Sequence, residues 1–218
     1  MRNAAATGCG HRYVGNYAHM PRSMGQACPY PEIYAASQSL HELPVDERGE
    51  CIFHSQDLAW KETSGFLERF VELVEFLNGD NSQEFFDFAE FVFAGGASDA
   101  ASASAPSIFR LSDLTFRKQA YMVAASFPVP VEFDRIDFQE GAAFEAAGFA
   151  HDLKVHDTTI HGLNCCDITV GGVAAFDHVR FLDHALFNGA RFTGTTPGRV
   201  VTFDGSQFGG ISDFSDAV

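Results

Sequence analysis

Through the second half of the chain, bulky apolar residues recur at a spacing that fits neither a helix nor an ordinary strand. Leu111, Phe116, Met122, Phe127, Phe133, Phe138, Phe144 and Phe149 step alternately by five and six residues. Val155, Ile160, Cys165, Val170, Phe176, Phe181, Phe187, Phe192, Phe203, Phe208 and Phe214 continue the ladder. The unit is eleven residues; one residue is lost between Ile160 and Val170, and a bulky rung is skipped near Gly198. Two residues before each rung stands a second apolar or small residue, such as Ala120, Ala142, Ala174 or Ala185, and the residue between is usually polar, as with Glu132, Lys154, Arg180 and Arg191.

An in-out-in triplet is the signature of a short strand with one buried face. Gly, Asp, Asn and His crowd the intervening positions, where the chain must turn. Strands this short bury their inner faces only by winding into a coil and stacking each coil on the last. The ladder therefore predicts an all-β solenoid whose Phe rungs point inward throughout. Small residues two positions before the rungs leave room for neighbouring rings.

The repeat, as in ALFNGARFTG, resembles the pentapeptide-repeat family in its Phe-rich form with alternating five and six spacing. The match covers roughly residues 109–214, with a first fragment in FFDFAEFVF, Phe85 to Phe93. The resemblance implies a right-handed, four-sided β-helix. Its six-residue steps would widen some corners, giving about 22 residues per coil. About five coils at ~4.8 Å each make a rod on the order of 25 Å long.

Upstream the pattern changes. Residues 63–80, TSGFLERFVELVEFLNGD, carry apolar residues at Phe66, Phe70, Leu73, Val74 and Leu77 and end at Gly79, which predicts an amphipathic helix with Thr63 or Ser64 as N-cap. Its expected place is over the first coil, shielding an open strand edge. The resulting organisation is an irregular N-terminal region at 1–62, a capping helix at 63–80, and a β-helix at 81–218 interrupted by a small-residue loop at 94–107. TGTTPGRV, Thr193 to Val200, is a second excursion.

Residues 1–62 show no period, yet they hold Cys9, His11, Cys28, Cys51 and His54. The two-residue spacer of CIFH lets a tight knuckle aim two ligands at one metal. A loop-rich segment with few aliphatic residues needs a staple, and in a reducing compartment zinc serves better than a disulfide. The expected ligands are Cys9, Cys28, Cys51 and His54, with His11 as the alternative, in a closed structural site whose core is separate from that of the solenoid. His151, His156 and His161 step by five, which places them at successive corners in solvent and not around one metal. Cys165 falls on the inward ladder and Cys166 at a corner.

Composition adjusts this picture. Twenty-three Phe against five Tyr and one Trp reflects selection for one core side chain. No stretch approaches the roughly 18 continuous apolar residues of a membrane span, and the N-terminus lacks a signal-peptide h-region, so the expected location is cytoplasmic. A net charge of −15 speaks against direct nucleic-acid binding. Residues 108–218 hold 14 acidic and 8 basic residues, a net of −6, too mild for a strong imitation of DNA. No phosphate loop, nucleophile elbow or placed carboxylate pair occurs in the sequence. The expected function is a non-catalytic scaffold for an unknown protein partner. A C-terminal coil rich in Phe is expected to pair with a second copy. The alternatives are a DNA mimic that protects a topoisomerase, as the resemblance allows, and an enzyme or redox sensor built on Cys and His.

Overall fold

A computed structural model describes residues 9–15, 24–37, 40, 42–96, 107–194 and 201–218. Four parallel sheets form the sides of a β-solenoid of about four turns. The first complete turn runs through strands Phe109–Ser112, Thr115–Phe116, Ala120–Tyr121 and Ser126–Phe127, and each later turn repeats the set. Val131 pairs with Phe109, 22 residues earlier, and Leu153 with Val131, again 22. The residue lost after Ile160 is visible in the register, because Leu163 pairs with Ala142 only 21 residues earlier. The excursion around Gly198 lengthens the last turn, where Val201 pairs with Ala174. Phe86–Asp87 pairs with Ala120–Tyr121, so the FFDFAEFVF fragment supplies part of an earlier turn. The loop assigned to 94–107 falls largely on 97–106, and the second excursion on 195–200, both outside the described residues.

The alternation of five and six has a backbone cause. Every five-residue step except Ile160 to Cys165, where the repeat loses a residue, contains one residue in the left-handed region, two positions after its rung: Asp113, Ala124, Arg135, Ala146, Asp157, Asp167, His178, Gly189 and Gly205. A left-handed residue tightens a corner that the six-residue steps make with one residue more.

The rungs point inward. Phe116, Phe127, Phe138, Phe181 and Phe187 are buried, while Arg180 and Arg191 are exposed. Rings stack down the lumen, with Phe116 on Phe138 at 4.7 Å and Phe127 on Phe149 at 4.4 Å between centroids. The last turn departs from this pattern, since Phe208 and Phe214 are 40% and 41% exposed.

Three helices precede the rod: α1 (Tyr30–Ala36), α2 (Leu58–Thr63) and α3 (Phe66–Gly79). α1 and α2 correct the expectation of an irregular region up to residue 62. The N-cap of α3 is also corrected. Thr63 closes α2, Ser64 is its C-cap, and α3 starts from Gly65 at φ +73° with no side-chain cap. The two helices form a tight corner that only a left-handed residue makes, and glycine makes it without a Cβ penalty.

α3 lies on the first turn. Phe70 packs against Phe88, Phe93 and Phe109 at 5.0, 5.3 and 5.9 Å. The Asn78 amide donates to the Thr115 carbonyl and accepts from the Arg117 N–H, satisfying strand-edge groups that would otherwise be open. Lys118 Nζ donates to the carbonyls of Leu77 and Asp80, closing the helix C-terminus. One apolar core runs from Cys28 and Phe53 through Phe70 and Phe93 to Ala190. The expectation of two separate cores is therefore wrong: Phe91 stacks on Phe53 at 4.8 Å, joining the N-terminal region to the rod.

Candidate metal centre

Three short pieces of backbone deliver the Cys and His side chains. An antiparallel bridge between Arg12 and Ala27, supported by Gly25 N–H to Tyr13 O at 2.7 Å, holds the segments carrying Cys9 and Cys28 side by side. A second bridge, Val45 to Cys51, closes a turn at Asp46–Glu50 in which Gly49 adopts φ +82°. After Cys51 the chain makes one helical turn, with His54 N–H donating to Cys51 O at 3.0 Å, which folds the imidazole back over the thiol. Gly10 N–H to Gly49 O at 2.7 Å ties the two loops together.

The result brings Cys9, Cys28, Cys51 and His54 into one group, with one ligand atom of each within 4.8 Å of all the others. Cys28 Sγ lies 3.8 Å from Cys51 Sγ. His54 Nδ1 lies 3.3 Å from Cys51 Sγ and 3.9 Å from Cys9 Sγ. Tetrahedral zinc, with Zn–S of about 2.3 Å and Zn–N of about 2.0–2.1 Å, sets its ligand atoms roughly 3.5–3.8 Å apart. The donor set and its spacing therefore fit such an ion. Two backbone N–H groups, of His11 and Cys51, donate to Cys9 Sγ at 3.4 and 3.2 Å, which favours a thiolate there.

The electrostatics are compatible with a bound cation. Cys9 is held far below the usual thiol range by hydrogen bonds from Cys28 and Cys51. Cys28 is pushed far above that range by sharing protons with Cys51 and Cys9, and burial pushes Cys51 up to about 12. Without a cation the pocket tolerates one thiolate; a divalent ion would offset the charge of all three. Burial lowers His54 to about 4, so its imidazole is neutral at pH 7 and Nδ1 can ligate.

His11 stands apart from this group. Its ring stacks on His54 at 3.8 Å between centroids, and its Nε2 lies 3.1 Å from Glu90 Oε2. Glu90 also accepts from the N–H groups of Val14 and Gly15, pinning the N-terminal segment against the rod. Nothing in the spacing of the sequence singled out Glu90, nor Lys61 on α2. Lys61 is fully buried; its Nζ donates to the carbonyls of Phe53 and Val92 and lies 4.9 Å from the Phe66 ring centroid. One side chain thus joins the Cys51–His54 knuckle, the opening turn of the rod and α3.

The remaining candidates disperse. His151 and His161 are exposed at corners. His156 instead sits on strand Leu153–His156, 3.5 Å from Asp177, in a cross-strand row with Asp134. Cys165 is buried in the lumen, and Cys166 Sγ faces Asn188 Oδ1 at 3.6 Å. No protein-family model, curated protein or solved structure matches the chain. Among the described residues no helix is long and apolar enough to cross a membrane.

Proposed function

We propose that the chain is a non-catalytic interaction scaffold of the pentapeptide-repeat kind, whose first turn is closed by a zinc-stapled cap. The observation that carries this reading is the metal group itself. Four protein donors at tetrahedral spacing leave no open position for substrate or water, which is the arrangement of a structural ion. The rod contributes outward columns of side chains at fixed spacing. Arg110 pairs with Glu132 at 2.7 Å, Lys154 lies 3.8 Å from the same carboxylate, and Arg135 grips Asp113 through two hydrogen bonds. These pairs interrupt the acidic surface, so a protein partner is a better fit than a topoisomerase deceived by an imitation of DNA.

The last turn carries a second contact surface. Phe208, Ile211 and Phe214 lie exposed together there, an apolar face that is costly in water. A second copy stacked about a two-fold axis closes it without forming filaments.

Metal analysis of protein purified under reducing conditions should return one zinc per chain; a metal-free, folded protein would refute the staple. For the scaffold, affinity capture from the native host with wild type and Arg135→Glu should show partners lost on charge reversal. Identical capture by both would remove the Arg135 column from the interface. Light scattering of wild type and Phe214→Glu tests the pairing, and a wild type that stays monomeric at tens of micromolar would overturn it.

A further inference from the structure

The lumen changes character in one turn. Phe133, Phe138, Phe144 and Phe149 fill the inward rungs of the second turn, and Phe176, Phe181, Phe187 and Phe192 those of the fourth. Between them stand Val155, Ile160, Cys165 and Val170. Register confirms the equivalence: Val155 pairs with Phe133 and Phe176, Ile160 with Phe138 and Phe181, and Val170 with Phe149 and Phe192. The stations two residues earlier move the opposite way. Leu163 stands between Ala142 and Ala185, and Leu153 between Val131 and Ala174.

The exchange does not fill the space. A cavity of about 20 Å³ remains between Leu153, Val155, Ile160, Leu163 and Cys165 and the facing rings of the neighbouring turns. Every wall residue is at most 5% exposed, and no oxygen or nitrogen lines the space. A buried water needs two to four polar partners, so this cavity stays dry although one would fit by size. Its walls lack the dispersion contacts that a closer-packed lumen would give them.

We propose that the third turn is a binding site for a small apolar guest of one or two heavy atoms, the class that includes dioxygen and xenon. Such a guest restores contacts on all sides and brings no polar group that would need a partner. Aromatic faces and the Cys165 sulfur are polarizable walls suited to it. Burial holds the Cys165 thiol above its ordinary range, so the guest meets a neutral S–H.

Methyl NMR of the full chain under xenon pressure tests the site. Resonances of Leu153, Val155, Ile160 and Leu163 should shift saturably, while those of Leu73 and Val74, in the core under α3, should not. Shifts that grow linearly without saturation, or that are equal at Leu73 and Val74, would overturn the proposal. Val155→Phe should abolish the saturable response, and its persistence in a folded variant would count equally against the site. If that variant fails to fold, Val155→Leu should weaken the response several-fold, and an unchanged response would again refute it. Dioxygen serves as a second probe: paramagnetic relaxation concentrated on the same four residues is expected, and uniform relaxation across the core would exclude dioxygen as a guest.

Discussion

In the N-terminal cap, left-handed backbone falls on glycine: Gly25 at φ +84°, Gly49 at +82° and Gly65 at +73°. In the rod it falls at nearly every eleventh residue on side chains that ordinarily avoid it, including Ala124, Arg135, Ala146 and His178. The cap is assembled from single turns, each of which must be favourable alone, so each uses the residue with no Cβ. Rod corners are held by the turns on either side. Ala146 N–H donates to Cys166 O, and Asp167 N–H to Asn188 O, so stacked hydrogen bonds over-determine a conformation the residue would not choose. On the proposed reading the cap depends on local turns and its metal group, whereas the corners of the rod depend on the turns stacked on either side.

Metal removal is the strongest way to test that division. Structural zinc contributes on the order of 10 kcal/mol to small domains that depend on it. Chelation or Cys51→Ser should leave buried thiols unpaired with any cation and unfold the loops carrying Cys9, Cys28 and Cys51. Because Phe53 stacks on Phe91, the damage should reach the opening turn and fade along the rod. Hydrogen exchange should become fast in 24–63 while 131–192 stays protected. Loss of protection along the whole chain would show that cap and rod are one cooperative unit.

Ring deletion within the rod comes next. Phe181 is 1% exposed, with Phe176 and Phe208 at 6.2 and 4.8 Å. Phe181→Ala should cost about 3–5 kcal/mol by urea denaturation. Ile160→Ala occupies the same station one turn earlier, removes a smaller side chain and adjoins an existing void, so it should cost less, about 2–4 kcal/mol. Equal costs would mean that the third turn is as tightly packed as its neighbours.

The same contrast explains what could be read from the sequence. The rod was legible because one physical rule, bulk inward at alternating steps of five and six, is written many times over. Even the residue lost after Ile160 showed as a break in rhythm. The Cys51–His54 half of the metal group was legible from its spacer. Cys9 and Cys28 were nominated only as the other cysteines of an aperiodic segment. α1, the Gly65 corner, Lys61 and Glu90 were not legible, since none belongs to a repeated pattern, and Lys61 and Glu90 take their roles from several groups elsewhere in the chain. Lys61 in particular looks like any solvated lysine on a short helix until the Phe53 and Val92 carbonyls are placed beside it.

Lys61 supplies a pH test confined to the cap. Burial lowers its pKa from 10.5 to about 7, so between those values the unfolded chain binds a proton that the folded chain does not. Stability should therefore rise with pH across that window and be unaffected by this group below it. Relative to Lys61→Met, wild type should gain about 2 kcal/mol from pH 7 to pH 9, measured by denaturation of metal-loaded protein. A difference that falls with pH would show the lysine to be charged in the fold and stabilised by its carbonyl partners.

The smallest expected effect separates corners from strands within the rod. Ala146 has φ +57° at a corner, and the equivalent station one turn from Asp167 is filled by Gly189 at +66°. Ala146→Gly relieves about 1–2 kcal/mol of left-handed strain and gives back about 0.5–1 kcal/mol through the freer unfolded chain, a net gain of about 0.5 kcal/mol. The reverse change, Gly189→Ala, adds the strain and also sets a Cβ 2.4 Å from Asp167 Oδ1, so it should destabilise by more than the first change stabilises. Ala185→Gly, on a buried strand, has no strain to relieve and should be destabilising. Urea midpoints of the three variants carry opposite signs if neighbouring turns impose the corners on unwilling residues. A destabilised Ala146→Gly would instead mean that the alanine contributes packing at its corner, and that the rod selects its left-handed residues for their side chains.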